Sequence, residues 1–158
     1  MSNAPMSPEI DACRYLYLRR LWEPHHNSLA IIIDEGITDS GPNLDLSAAP
    51  VTQAVPIAVG PNSRAFELKW SRYFAYSIRN EGFAILTDSD IRASGRLLVV
   101  YETSNYLEFL RKTTWDTTDV FGPLMHVGVL CLNHIIDVVG FGPPEIRTVA
   151  PPTHSNSR

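Results

Sequence analysis

The chain has 158 residues, of which 44% are hydrophobic and 19% charged, and its formal net charge is −4. This length and composition predict one folded domain with a single sizeable core, and they exclude a wholly disordered chain. The acidic balance argues against a dedicated nucleic-acid binder, which needs a basic surface, and no apolar run approaches the roughly 20 residues that cross a bilayer.

The N-terminal residues "MSNAPMSPEI" lack a basic start followed by an apolar stretch, so no signal peptide is predicted. Residues 1–6 and 148–158 are expected to be flexible, which leaves residues 7–147 as one globular domain. Cys13 and Cys131 are far apart in the sequence and each has apolar neighbours. This setting predicts buried, reduced thiols in a cytoplasmic protein.

The first half of the chain contains one helix start and several strand patterns. Ser7 followed by proline is typical of a helix N-terminus. Residues 14–22, "RYLYLRRLW", fit a helix or a strand, and a short helical turn followed by a strand is favoured. "SLAIIIDEGI", residues 28–37, is β-branched and bounded by turn residues, which predicts a buried strand. After a polar loop over residues 38–50, Pro56 makes "VTQAVPIAV" an edge strand or an irregular crossing.

The most patterned stretch is "RAFELKWSRYFAYSIRNEG", residues 64–82. From residue 66 to residue 78 its even positions are apolar except at Arg72, which predicts one wall of the core; they are Phe66, Leu68, Trp70, Phe74, Tyr76 and Ile78. Neither Ser71 nor Arg72 suits the positive φ of a tight hairpin, so one long strand, bent or bulged at this point, is predicted. The polar odd face is a candidate binding surface, with Lys69, Tyr73, Arg79 and, at the strand end, Glu81.

The second half of the chain continues the strand-rich pattern. A loop with Gly95 at its exit precedes a strand over residues 96–103, and Ser104 caps a predicted helix, "NYLEFLRKTT". A second loop, "WDTTDVFGP", leads to two strands, "LMHVGVLCLN" and "HIIDVVGF". Six to eight strands, one or two short helices and no strand–helix alternation predict a mainly β protein, α+β at most. The favoured architecture is an antiparallel β-sandwich or a small open barrel.

Two histidines are candidates for acid–base or metal chemistry. The usual signatures of nucleotide binding, serine hydrolases, zinc proteases and paired-cysteine sites are absent from the sequence. If the strands that carry His126 and His134 are antiparallel neighbours, the turn between them could bring both imidazoles onto one face beside Asp137. The favoured interpretation is that both histidines are hydrogen-bonded packing residues.

Two further polar groups are interpreted as turns. Adjacent histidines in an extended loop point in opposite directions, so His25 and His26 are expected to form a solvated turn rather than a metal site. Asp88-Ser89-Asp90 resembles part of a calcium loop, but the remaining ligands do not follow, so turn capping is favoured. No cofactor and no metal ion is therefore predicted.

Three functions are compatible with these features. The favoured one is a small cytosolic protein-interaction module without catalytic activity, such as a regulator, an immunity-type inhibitor or an accessory subunit. Its partner would be another protein, neither nucleic acid nor membrane, and the acidic charge favours a basic partner. Self-association of the chain is left open.

Two alternatives are retained beside the interaction module. A small-molecule-binding barrel or sandwich would line its pocket with Trp70, Tyr76 and Trp115. A hydrolase would use His126 or His134 with Asp137 or Asp34. A closed aromatic cavity would favour the first alternative, and activity that depends on one of the histidines would favour the second.

Overall fold

The computed structural model describes residues 4–38, 56–85, 89–115 and 118–153. The strands of these ranges are β1 (Tyr15–Trp22), β2 (Leu29–Thr38), β3 (Ile57–Ala58), β4 (Ala65–Trp70), β5 (Tyr73–Asn80), β6 (Ile91–Ser94), β7 (Leu98–Thr103), β8 (Met125–Leu130), β9 (His134–Gly140) and β10 (Glu145–Val149). The helices are α1 (Pro8–Asp11), α2 (Asn105–Thr113) and α3 (Thr118–Phe121), with a 3₁₀ turn over Glu81–Phe83. None of these described helices is long and apolar enough to cross a membrane.

The strands form two antiparallel sheets that pack face to face as a β-sandwich. The first sheet has the order β1-β2-β4-β10, with β3 paired to the end of β2, and the second has the order β5-β9-β8-β7-β6. The main core cluster draws on both sheets, for example Ile31 and Leu68 from the first and Val127 and Ile136 from the second. The predicted mainly β class and the antiparallel sandwich are therefore confirmed.

The described residues contain ten strands, more than the six to eight expected, because two polar segments pair at sheet edges. β6 lies where a loop was predicted, and its residues are mostly exposed. β10 pairs with β4 along all five of its residues and ends at Val149, two residues beyond the predicted domain boundary. An edge strand with few buried side chains lacks the apolar alternation from which the other strands were predicted.

The chain passes from one sheet to the other at Ser71 and Arg72. β4 lies in the first sheet and β5 in the second, so the prediction of one long strand is wrong, although the predicted position of the bend is right. Strands that switch sheets at a bend are the usual way in which a sandwich forms its corners. The alternation of apolar residues continues across the corner because both halves bury side chains, and this hides the change of sheet.

The predicted core wall is correct for β4 and only partly correct for β5. Phe66, Leu68 and Trp70 are buried in the main core, but β5 is bulged after Tyr73 and its alternation shifts there. Phe74 packs instead in a second cluster with Leu107 and Leu110 of α2, and Ile78 is 43% exposed. A bulge of one residue is enough to exchange the two faces of a strand.

The helix predicted after Ser104 is confirmed and covers part of the outer face of the second sheet. The Ser104 hydroxyl caps it by accepting a hydrogen bond from the amide of Leu107 at 3.1 Å. Leu107 and Leu110 are buried against Val139 of β9. The helix therefore fixes Ser104 beside the side chains that β8 and β9 present to this face.

Candidate functional site

Four side chains on the outer face of the second sheet form a hydrogen-bonded series, here called the polar chain: Ser104, His126, Asp137 and Arg79. The Ser104 Oγ atom lies 2.7 Å from His126 Nδ1, and His126 Nε2 lies 3.0 Å from Asp137 Oδ1. Arg79 Nη2 donates to Asp137 Oδ2 at 3.0 Å. Hydroxyl, imidazole and carboxylate therefore follow one another at the spacing of a nucleophile, a base and a group that orients the base.

Strand register brings the histidine and the carboxylate together. His126 of β8 lies opposite Val139 of β9. Asp137 lies two residues before Val139, on the same face of β9. The two side chains are thus diagonal neighbours, which long side chains can bridge. On the other side of β9, Ser77 of β5 faces Asp137, and Arg79 is the next residue of β5 on that face.

The carboxylate of Asp137 assigns the protons along the polar chain. A carboxylate paired with Arg79 only accepts, so His126 Nε2 carries the proton that is donated to Asp137. Nδ1 of the neutral imidazole then accepts the hydroxyl proton of Ser104, whose oxygen accepts from the Leu107 amide. Ser104, His126 and Asp137 are 3%, 2% and 3% exposed. These buried polar groups are satisfied by one another, which ties α2 to the sheet.

Two tyrosines enclose the imidazole. The ring of Tyr101 stacks on His126 with a centroid distance of 4.5 Å and an interplanar angle of 24°, and Tyr106 approaches it edge-on at 5.6 Å. A Cβ atom on Gly128 would come within 2.8 Å of the Tyr101 ring, so the glycine of this strand makes room for the stack. Burial, with a further contribution from the charge of Asp137, raises the pKa of both tyrosines.

A pocket of about 180 Å³ lies against the polar chain. Besides the four members of the chain it is lined by Ser77, Ile85, Asp90, Tyr101, Asn105 and Tyr106. Arg79 stands at its accessible side, with its side chain 47% exposed. A small molecule in this pocket would meet the histidine, the serine and two aromatic rings together.

A second candidate surface is the outer face of the first sheet, here called the aromatic–arginine face: Tyr15, Tyr17, Arg20, Trp22, Lys69 and Arg147. Register and alternation place these side chains on the side away from the main core. The Arg20 guanidinium lies 4.5 Å from the centre of the Trp22 ring. Each of these residues is exposed or half-buried.

Two carboxylates on this same face are almost fully buried, and each is paired with an arginine. Asp34 accepts from Arg19 Nε at 2.9 Å, and Glu67 accepts from Arg147. Their side chains are 5% and 9% exposed, respectively. The accessible charges beside the aromatic rings are therefore mainly those of Arg20 and Lys69, with Glu145 opposite Lys69 in the register. Arg147 is exposed as well, but Glu67 offsets its charge.

The structure brings together two of the four residues considered for catalysis, while Asp34 lies in the first sheet and pairs with Arg19. His126 and Asp137 are hydrogen-bonded, but the possibility left open by the sequence, that His126 and His134 share a face, is not realised. β8 and β9 are antiparallel neighbours, as the sequence suggested. However, His134 lies on the same face of β9 as Ile136 and Val138, which is the face that packs in the main core. Its Nδ1 atom is buried without a hydrogen-bond partner among the described residues. The part of the chain described here holds no cluster of three or more potential metal ligands.

The predicted binding face of residues 64–82 is divided by the sheet switch. Lys69 lies on the outer face of the first sheet, and Arg79 lies on the outer face of the second and belongs to the polar chain. Tyr73 turns toward the main core, and its hydroxyl donates to Glu23 at 2.6 Å, which raises the Tyr73 pKa to about 12. Glu81 starts the 3₁₀ turn at the far end of β5. These residues therefore do not form one surface.

The remaining candidate residues from the sequence do not form a common site either. Trp70 is 2% exposed and Trp115 is 87% exposed, so the predicted pocket that both would line is not formed. The residues around His25 and His26 form a turn, as expected. Asp88 lies outside the described residues, while Asp90 accepts a hydrogen bond from the Asn105 amide at 2.8 Å and so supports the start of α2.

Sequence reasoning identified Ser104 as a helix cap but not as a member of a polar chain, and it missed Tyr101 and Tyr106. The signal was present in part, because the glycine in "MHVGVL" marks a place where another group approaches the strand. What the sequence did not contain was the register that pairs Tyr101 with His126.

No protein-family model, no curated protein and no solved structure matches this chain. Its function therefore has to be inferred from its own residues and contacts.

Proposed function

We propose that this protein is a small cytosolic interaction module that binds another protein through the aromatic–arginine face. The observation that carries the proposal is the concentration of accessible tyrosine, tryptophan and arginine side chains on one side of the first sheet. These three residue types are enriched at protein interfaces, and tryptophan, tyrosine and arginine dominate the residues that cost most when truncated. An ordinary solvated sheet face carries small polar and charged residues instead.

The charges of the face indicate the chemistry of the partner. Asp34 is buried beneath Arg19 and Glu67 beneath Arg147, whereas Arg20 is exposed beside the Trp22 ring. A partner surface that offers carboxylates could pair with the Arg20 guanidinium in the bidentate geometry that arginine favours. The net charge of the whole chain suggested a basic partner, but the local charges of this face favour an acidic one.

A reducing compartment is supported by the two cysteines. Cys13 and Cys131 both lie within the described residues, are free, and are buried in the main core. Free buried cysteines are typical of proteins that fold where thiols stay reduced. Fractionation of source cells with an antibody to the protein tests this location, and recovery outside the cytosolic fraction would contradict it.

The interaction is tested by affinity purification from the source cells with three versions of the tagged protein. One is unchanged, one carries Arg20→Glu and Trp22→Ala, and a matched control carries Phe109→Ser and Trp115→Ser, which alter exposed aromatic residues elsewhere. A protein recovered with the first and third versions but not with the second is then purified and titrated calorimetrically. Loss of the two interface anchors should weaken its affinity by at least about 30-fold, because even one such anchor contributes about 2 kcal/mol or more.

Two outcomes bear on the identity of the partner. If the face variant keeps the partner and the control variant loses it, the aromatic–arginine face is not the interface. If light scattering shows that the unchanged protein forms dimers which Arg20→Glu dissociates, the occupant of the face is a second copy of the chain. In both experiments thermal unfolding of each variant must show that the fold is retained.

A further inference from the structure

We infer that Ser104 is a nucleophile, activated by His126 and Asp137, that accepts the acyl group of small esters or thioesters. This activity is independent of the proposed interaction and belongs to the opposite sheet. The inference rests first on distance: the Ser104 oxygen lies 2.7 Å from the imidazole that would take its proton. That separation is within the range in which a base abstracts a proton from a nucleophile.

The carboxylate is placed to hold the base in the correct tautomer. Asp137 accepts from His126 Nε2 at 3.0 Å, which leaves Nδ1 as the unprotonated nitrogen that faces Ser104. Arg79 binds the second oxygen of Asp137 at 3.0 Å and so fixes the carboxylate plane. A carboxylate in this position also stabilises the imidazolium that forms when the proton is transferred.

The position of Ser104 at the start of a helix supplies further stabilisation. It directly precedes α2, a helix of nine residues, and its oxygen already receives the Leu107 amide proton. The positive end of a helix and a donor on the oxygen both favour negative charge on Oγ as its proton leaves. The Leu107 amide acts on the nucleophile itself and not on the carbonyl oxygen of the substrate.

The pocket limits the substrate to a short acyl group. Ser104, His126 and Asp137 all line a volume of about 180 Å³, which corresponds to about six water-sized groups at about 30 Å³ each. Tyr101 and Tyr106 give it aromatic walls, exposed Ile85 lies at its rim, and Ser104 is only 3% exposed. An acetyl to butyryl group fits this space, whereas the rest of a long acyl chain would have to remain outside it.

The reaction balances with water as the second reactant. Ser104 Oγ bonds to the carbonyl carbon of the ester, and its proton moves to His126 Nδ1. The carbon–oxygen bond to the alcohol then breaks, and the leaving alcohol takes that proton, which leaves an acyl-serine. Water, deprotonated by His126, attacks the same carbon and releases the carboxylic acid, and the proton returns to Ser104. No oxidant or reductant takes part.

The test is acylation of the purified full chain with p-nitrophenyl acetate. Samples are quenched in acid and analysed by intact mass and peptide mapping, while release of p-nitrophenol gives the rate. The expected result is one added acetyl group on Ser104. Because of the pocket volume, the acetyl group of p-nitrophenyl acetate should be transferred at least tenfold faster than the octanoyl group of p-nitrophenyl octanoate. His126→Gln should reduce the acylation rate by about 100-fold or more, the usual contribution of a general base.

Ser104→Asn is the variant that separates catalysis from folding. Asparagine caps a helix about as well as serine, so α2 should remain formed while the hydroxyl is removed. Ser7→Asn is the matched control, since Ser7 is also a buried helix cap, on α1, and it lies outside the pocket. The inference is overturned if the unchanged protein gains no acetyl group on Ser104 under conditions that acetylate a known serine esterase. It is also overturned if folded Ser104→Asn releases p-nitrophenol at the unchanged rate.

Discussion

Replacement of Asp137 by alanine should destabilise the fold by leaving a buried imidazole N–H without an acceptor. Asp137 is the acceptor of His126 Nε2–H, and both residues are almost completely buried. An unsatisfied buried donor costs about 1–3 kcal/mol. Arg79, the other partner, is about half exposed and can be hydrated instead, so its contribution is small. We therefore expect a loss of about 2 kcal/mol, a large part of the about 5–15 kcal/mol that stabilises a typical domain.

Urea unfolding followed by tryptophan fluorescence measures this loss, because Trp70 is buried in the main core. With a slope of about 2 kcal/mol per molar urea, the midpoint should fall by about 1 M while the slope is unchanged. Asp137→Asn is the matched control, since its amide oxygen can still accept from His126. It should lose less than half as much stability as the alanine variant.

A further variant gives the stronger test of the same reasoning. If the cost arises from the orphaned N–H group, replacing His126 by phenylalanine and Ser104 by glycine in the Asp137→Ala background should recover stability. The buried hydroxyl that donates to His126 is then removed as well, and glycine is tolerated as a helix cap. The Tyr101 ring can stack on phenylalanine as it does on histidine. Equal losses in Asp137→Ala and Asp137→Asn, or further destabilisation in the triple variant, would refute the reasoning.

Three smaller predictions follow from other parts of the fold. Gly95→Ala should lower the free energy of unfolding by about 1–3 kcal/mol, measured by thermal unfolding, because Gly95 has a φ of +84° and an added Cβ would lie 2.0 Å from the Leu98 carbonyl oxygen. Cys13 should react slowly with a thiol reagent at pH 8 until urea is added, because burial raises its pKa to about 11. The hydrogen bond from Arg64 lowers the pKa of Glu35, so the pair stabilises the fold above the ordinary value of 4.5 and this contribution is lost as the pH falls below it. Arg64→Gln should therefore flatten the acid limb of a stability–pH curve, by at most about 1 kcal/mol for a pair this exposed.

The sequence was sufficient to predict the strands whose side chains alternate and the helix that begins with a capping residue. α2 could be predicted because Ser104 and the apolar positions after it are local signals. Residues 28–37 could be predicted because a short β-branched run bounded by turn residues is typical of a buried strand. β10 could not be predicted, because its pairing with β4 joins positions about 80 residues apart and leaves little apolar pattern within the strand.

The contacts of the candidate site show more clearly that pairing between distant segments cannot be predicted from local sequence pattern. Asp137 and His126 were recognised as possible partners because they lie on adjacent predicted strands, but which face each occupies depends on register. Whether His134 shares the face of His126 could not be decided from the sequence, and one step of alternation places it on the other face. Ser104 reaches His126 only through the pairing of β7 with β8. Contacts of this kind are decided by packing between elements, and a single sequence contains no local signal for them.

The two proposed sites lie on opposite outer faces of the sandwich, so their substitutions should act independently. Arg20 and Trp22 belong to the first sheet, and Ser104 is fixed by α2 on the second. Effects of sites that share no contacts usually add within about 0.3–0.5 kcal/mol. Arg20→Glu with Trp22→Ala should therefore leave the acylation rate unchanged, and Ser104→Asn should leave partner affinity unchanged. If either variant alters both properties while the fold is retained, the bound partner reaches around the edge of the sandwich and the two sites form one functional surface.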